Sequence, residues 1–391
     1  MENSYKGIDI IENVYEGYGL GKLPDGKVVF LPFAVTGDNV DIRITDDKKR
    51  YAYGEIIAIN KKSDKRVEGF CKYEGLCGGC TFAMIDDEYE ETIKRTIVKK
   101  FFRFIDNFEI NSYIKSSTHG YRIRGRFKIS NGKLGFYKFG SHQFLEIDSC
   151  PVMKPSILEK PLEVAKYYTF DDVTELSIIE NSDGEQLTFL HTDRQIEFPE
   201  EAGVITRFSQ GTKDYIFINV GGYKIPAHAK GFFQTNRYIM EDFQKIVTSS
   251  LENCYKILEL YCGSGFFTIP LWEKGKKITA LDNDRRAIEL LGGIIGNKRC
   301  KCIDIDRDIK KIAFNFDAIL MDPDRNGLSK NVIDYLNENK PTLVVYVSCN
   351  PVTMARDIKL LGENYKLDKF YIIDQFPATY HIESIAVLSK H

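Results

Sequence analysis

Cys349 has the chemistry of a nucleophile. It stands in Val345-Tyr-Val-Ser-Cys-Asn-Pro, where an apolar run that reads as a strand gives way to the start of a helix. Most intracellular cysteines are buried and inert. A thiol at a helix N-terminus sits at the positive end of the helix dipole, which lowers its pKa and favours the thiolate. Glu383, in His381-Ile-Glu-Ser, opens the last strand of the chain. A lone Glu is most often a solvated charge, but beside a nucleophilic cysteine it becomes a candidate general base. Spacing alone does not decide between the two.

A ligand site is indicated by Leu258-Glu-Leu-Tyr-Cys-Gly-Ser-Gly-Phe-Phe, a strand that ends in a Gly-x-Gly turn and leads into a helix. Such a turn lets the backbone approach a ligand closely. Asp282 ends the next strand 17 residues after Gly265, near the offset at which a carboxylate meets a ribose. The third spaced glycine of a dinucleotide fingerprint is missing, so an adenosyl ligand without phosphates fits better than a pyrophosphate. Cys262, inside the turn, reads as a packing residue. Asp322, in Asp322-Pro-Asp-Arg-Asn-Gly-Leu, follows another predicted strand. Polar groups there face the crevice in which open sheets bind ligands, although Asp322 or Asp324 could instead cap the next helix.

Two further groups stand apart from these. Cys71, Cys77 and Cys80, with Cys150 far downstream, read as metal ligands, since glycines between them let the chain wrap a centre. Four thiolates suit zinc or an iron–sulfur cluster, and the wide first spacing favours the cluster. In Tyr121-Arg-Ile-Arg-Gly-Arg-Phe-Lys-Ile, the cations Arg122, Arg124, Arg126 and Lys128 alternate with apolar residues, so a strand here would carry a cationic face. From Thr92 to Pro155 there are 13 Lys and Arg against 4 Asp and Glu, and from Ser156 to Asp214 there are 5 against 13. A basic surface suited to phosphate is therefore hidden in a chain whose net charge is −2.

The elements that would position these residues fall into three regions. Residues 1–60 read as a five-stranded barrel of the OB type, with short alternating runs between turns. It either binds single-stranded nucleic acid or only supports its neighbour. Residues 61–228 form a central region, with the cysteines, a helix from about Asp86 to Asp106 and a strand-rich stretch over 121–228. Residues 229–391 alternate strands and helices, which predicts an α/β doubly wound sheet. Its last two strands are too close for a crossover and should pair antiparallel. With 391 residues, 43% apolar and 28% charged, the chain is an ordinary globular protein of two or three domains. The first residues lack the apolar core of an export signal, and no stretch reaches the roughly 20 apolar residues of a membrane span. A cytoplasmic protein, not a membrane one, is expected, and a monomer.

Taken together, these residues resemble the RNA uracil-C5 methyltransferase family, whose members methylate uridine in transfer RNA or large-subunit ribosomal RNA with S-adenosylmethionine. The resemblance covers nearly the whole chain. Phe233-Gln-Thr-Asn, the Tyr261-Cys-Gly turn, Asp322-Pro, Ser348-Cys-Asn-Pro and His381-Ile-Glu-Ser occur in the family's order. The barrel resembles a TRAM domain and the four cysteines resemble [4Fe–4S] ligands. The resemblance implies Cys349 as nucleophile and Glu383 as base. It places Gln234, Tyr261, Phe266, Asp282 and Asp322 around the methyl donor. Two positions depart from the family: Phe266 often stands as Asn, and Asp324 as Pro or a small residue. The barrel and cysteines together resemble the ribosomal-RNA type more than the bacterial transfer-RNA type. The Arg122, Arg124 and Arg126 face is expected to hold RNA. Three competing readings are a cytosine-C5 methyltransferase, a non-catalytic RNA-binding or RNA-folding factor, and an iron–sulfur redox protein.

Overall fold

The computed structural model describes residues 4–391. The chain divides into two compact units. One runs to Asp106 and includes Phe136–Ile147 and Phe376–His381; the other comprises Asn107–Gly135, Asp148–Gln375 and Ile382–His391.

The first unit contains the expected closed barrel, formed by Ser4–Asn13, Tyr18–Lys22, Val28–Pro32, Asn39–Asp47 and Tyr51–Lys61. Alternation along each strand sends Ile8, Ile10, Val29, Leu31, Val40, Ile42 and Ala52 into its interior. The predicted helix is observed over Asp87–Phe101, with the Asp86 side chain accepting from the Glu88 and Tyr89 N–H groups. Acidic residues in its first turn and Lys99 and Lys100 in its last complement the helix dipole.

In the second unit, Arg124–Ser130 pairs antiparallel with Thr174–Glu180, which pairs with Gln186–His191. The helix Pro155–Ala165 interrupts the stretch read as strand-rich. Pro155 stands in its first turn, where a missing N–H costs nothing, but a second proline at position 161 obscured the helical pattern.

The same unit holds an eight-stranded sheet in the order Cys300–Cys302, Lys277–Asp282, Lys256–Leu260, Ala318–Met321, Leu343–Ser348, Glu383–Lys390, Tyr365–Ile373 and Ser112–Ile114. Glu383–Lys390 is antiparallel to both neighbours, as expected from the short connection before it. Ser112–Ile114 was not expected in this sheet; three residues pair parallel with Tyr365–Ile373 from a distant part of the chain. Strand order reverses between Lys256–Leu260 and Ala318–Met321, which opens a crevice at their carboxyl ends. No helix among the described residues is long and apolar enough to cross a membrane.

Candidate active site

The chain leaves Leu260 through a strained turn. Tyr261 has φ +61°, and Gly263 and Gly265 have φ +50° and +92°. A side chain at Gly265 would bring a Cβ within 2.5 Å of Leu291 Cδ1, so the helix packs there only against glycine. Left-handed backbone at a tyrosine is uncommon and tends to occur at functional sites. The Tyr261 hydroxyl donates to Asp306 Oδ1 at 2.8 Å. The Gly263 N–H donates to Asp282 Oδ2 at 2.7 Å, and the Asp284 N–H to Oδ1 at 2.8 Å. Burial pushes the Asp282 carboxyl up and these N–H groups pull it down, with burial winning. Each oxygen keeps a lone pair for a further donor.

Around this turn the sheet gathers carboxylates. Glu259 is buried in the middle of an apolar strand; Thr268 Oγ1 donates to it at 2.6 Å, yet burial and the nearby Asp322 and Asp282 push it up to about 8. Burial and then Asp282 push Asp322 up to about 7. Glu383, on the antiparallel strand, is raised well above the usual carboxylate range by burial and by Asp322, and the Arg325 guanidinium opposes this. Its Oε1 has no hydrogen-bond partner among the described residues. Buried polar atoms are seldom left without a partner.

Cys349 lies among these groups. Burial, then Glu383 and Asp322, push its thiol up to about 12, against a charge interaction and a hydrogen bond from Arg325. The expected lowering by the helix dipole is therefore overturned. The helix does begin where predicted, at Pro351, with Asn350 Oδ1 accepting from the Val352 N–H at 3.0 Å. Desolvation and two carboxylates outweigh that dipole, which acts only within the first turn.

Gln234 is buried, with its Oε1 accepting from Gln375 Nε2 at 3.2 Å. Asn236 Nδ2 donates to the Asp374 and Gln375 carbonyls, tying this segment to the end of Tyr365–Ile373. Phe266 packs its ring against Phe233, Phe243 and Phe267, while its carbonyl accepts from Gln244 Nε2 at 2.6 Å. The phenylalanine thus fills core rather than offering a polar group. Glu259 and Arg325 were missed as site residues. A carboxylate inside Lys-Ile-Leu-Glu-Leu and a cation three residues after Asp322 were the available signals.

The strand that carries the arginine row begins at Arg124, leaving Arg122 in isolated bridges to Asn236 and Met153, and its cations do not form a free face. Gly125, Phe127 and Ile129 are buried while Arg124, Arg126 and Lys128 are not. Glu175, on the neighbouring strand, lies 2.7 Å from Arg126 and 2.9 Å from Lys128. Part of the basic segment is neutralised by the acidic segment that follows it. Arg124 is lowered to about 10 by burial and by Arg126 and Arg122, and stays charged at neutral pH.

Cys71, Cys77, Cys80 and Cys150 are half-buried cysteines. Burial raises the Cys77 thiol, and the neighbouring Cys71 adds to the effect. Among the described residues, however, no three His, Cys, Asp or Glu form a group able to hold a metal ion.

The model of the tRNA (Uracil-5-)-methyltransferase family matches residues 296–391, which include Asp322, Cys349 and Glu383, and the TRAM domain model matches residues 1–57. An uncharacterized RNA methyltransferase of Aquifex aeolicus is 31% identical, with 96% of each chain covered. The 23S rRNA (uracil(1939)-C(5))-methyltransferase RlmD of Vibrio parahaemolyticus is 26% identical over 100% of this chain and 97% of its own. The tRNA (uracil(54)-C(5))-methyltransferase of Pyrococcus abyssi is 27% identical over 93% of this chain and 96% of its own. The crystal structure of the Pyrococcus abyssi enzyme with S-adenosyl-L-homocysteine superposes with a TM-score of 0.79 at 25% identity, covering 97% and 99% of the two chains. With its barrel, its crevice at the sheet's switch point and this likeness along its whole length, the chain belongs to the RNA uracil-C5 methyltransferase family.

Proposed function

We propose that the protein transfers a methyl group from S-adenosylmethionine to C5 of a uridine in RNA, with Cys349 as nucleophile and Glu383 as base. The observation that carries this is the meeting of Cys349, Glu383 and Asp322 in one buried site beside the Tyr261–Gly265 turn. Uracil C5 is a poor nucleophile. The Cys349 thiol gives its proton to water, and addition of the thiolate to C6 moves the C5–C6 π electrons toward O4 as an enolate, which makes C5 electron-rich. S-adenosylmethionine would supply the methyl group as a sulfonium cation, its S–CH3 bond breaking as C5 bonds to the methyl carbon and S-adenosyl-L-homocysteine leaving. Glu383 then removes the C5 proton, the C5–C6 double bond re-forms and the Cys349 sulfur leaves C6. Covalent catalysis of this kind divides one hard step into easier ones.

The resting site is consistent with this chemistry. Four crowded carboxyls attract a cationic donor, and binding it favours their ionised forms. Asp282, held by two backbone N–H groups, is oriented for ribose hydroxyls. Arg325 favours the thiolate. The uridine must leave its stack to reach such a pocket.

We favour large-subunit ribosomal RNA as substrate. Full-length likeness to 23S rRNA enzymes supports it, and the equally similar Pyrococcus abyssi tRNA enzyme supports tRNA as the second reading. The test is transfer of labelled methyl to unmodified 23S rRNA and tRNA separately, followed by nucleoside digestion. Label in 5-methyluridine from one RNA alone identifies the substrate. No label in either, with RNA still bound, would establish the non-catalytic reading. Cys71, Cys77, Cys80 and Cys150 would hold a [4Fe–4S] cluster; cysteine thiolates are suitable donors to such a cluster, and no step of the reaction needs an electron. Iron and sulfide in equal amounts after anaerobic purification would support this, and zinc or no metal would refute it.

A further inference from the structure

Arg325 is the cation that acts on both Cys349 and Glu383, yet it lies in the exposed part, residues 324–326, of the loop after the fourth strand of the sheet. A long side chain on a loop has no fixed place unless the loop is held. The helix Pro351–Leu361, which starts beside Cys349, holds it. The Arg325 carbonyl accepts from Asn350 Nδ2 at 2.9 Å and from Thr353 Oγ1 at 3.3 Å. The Asn326 carbonyl accepts from Arg356 Nη2 at 2.9 Å. The Leu328 N–H donates to Asp357 Oδ2 at 2.8 Å.

Asp357 connects more than the loop. It is 0% exposed. Its Oδ2 also accepts from the Tyr346 hydroxyl at 2.7 Å, and its Oδ1 from Arg356 Nε at 2.8 Å. Tyr346 is on the strand that delivers Cys349, three residues earlier. One carboxylate therefore links the strand carrying the thiol, the loop carrying the guanidinium and the helix between them. Gly327, at φ +75°, allows the close approach; a Cβ there would stand 2.4 Å from Asp357 Oδ2 and 2.9 Å from Arg356 Nη2.

We propose that Asp357 is a positioning residue that sets the Arg325 guanidinium against the Cys349 sulfur and thereby controls the reactivity of the thiol. This rests on Cys349 being the nucleophile. A carboxylate that only stabilised the fold would change stability without changing the effect of Arg325.

The test is the rate at which iodoacetamide alkylates Cys349 in the full chain as a function of pH, followed on the Cys349 peptide. Asp357→Asn and Gly327→Ala should each slow alkylation at a given pH by about tenfold, equivalent to one unit in the thiol pKa, as Arg325→Ala does. In an Arg325→Ala background, Asp357→Asn should slow it no further, because the two act through one interaction. Equal slowing with and without Arg325, or an unchanged profile in folded variants, would overturn the proposal. Should Asp357→Asn fail to fold, Tyr346→Phe removes one hydrogen bond to the same carboxylate and is read in the same cycle. Methyl transfer is measured separately. Wild-type protein that shows this alkylation cycle but methylates no RNA would refute the proposed function and leave the positioning role standing.

Discussion

The barrel and the sheet crevice each bury carboxylates, and they treat them in opposite ways. Asp38, with no exposed surface, is met by Arg66 at 2.6 Å and by the N–H groups of Val35 and Ser63 at 2.8 and 2.9 Å. Burial pushes its pKa up, but these partners hold it below the usual carboxylate value. In the crevice, Glu259, Asp282, Asp322 and Glu383 are all raised, burial being the first cause of each. The same carboxyl group is held ionised by its partners in one place and raised by burial in the other. Carboxylates whose burial outweighs their partners, gathered in a crevice, are therefore the better marker of function.

That contrast is broken most directly by removing the reactive groups. Cys349→Ala should reduce methyl transfer to background, and Glu383→Gln should lower turnover by roughly 10²–10⁴-fold, the usual value of a general base. The two should differ in kind. Glu383→Gln should accumulate a methylated protein–RNA adduct that survives denaturing electrophoresis, and Cys349→Ala should form none. A Glu383→Gln enzyme that turns over normally would remove the base from this scheme.

Breaking the barrel's pair should cost stability instead. Asp38→Ala leaves Arg66 buried without its carboxylate, at about 3–5 kcal/mol, read as a lower urea midpoint. A change below about 1 kcal/mol would mean that the pair is solvated and the contrast is false.

The two regions should also respond to pH with opposite sign. Asp38 has a depressed folded pKa, so its contribution is present above the unfolded value of about 3.9 and is lost as pH falls through the folded one. Glu259 is raised to about 8 in the folded chain, so its contribution is present below about 4.3 and is lost as pH rises toward 8. Glu259→Gln should flatten the fall in stability between about pH 4.3 and pH 8 and leave the acid limb below that unchanged. An unchanged slope across that window would show that Glu259 is solvated.

The smallest effect is expected at the arginine row. Because Glu175 already pairs with Arg126, Arg126→Ala should reduce the salt slope of RNA binding by less than about 1, the usual value for a phosphate-contacting cation. A full unit would show that Arg126 leaves Glu175 for phosphate.

Local pattern made much of this legible. The alternation of the barrel strands, the strand–helix succession after residue 229 and the short connection before Glu383 are properties of neighbouring residues, and each appeared as read. Cys349, Asp322 and Glu383 could be singled out because side chains at the carboxyl ends of a doubly wound sheet share one crevice. The helix at Pro155–Ala165 was hidden because its second proline contradicts helical propensity that packing overrides.

Sequence by itself determined which groups stand at the site; only the tertiary structure decided their charge state and their mutual support. The helix dipole beside Cys349 is local and was visible, but the thiol's pKa is set by burial and by carboxylates from two other strands. The same holds for Arg126, whose partner Glu175 lies 49 residues away, and for the clamp that joins Asp357 to Leu328. Desolvation and charge interaction depend on distance in space, and spacing along the chain carries no record of it until the strands are placed side by side.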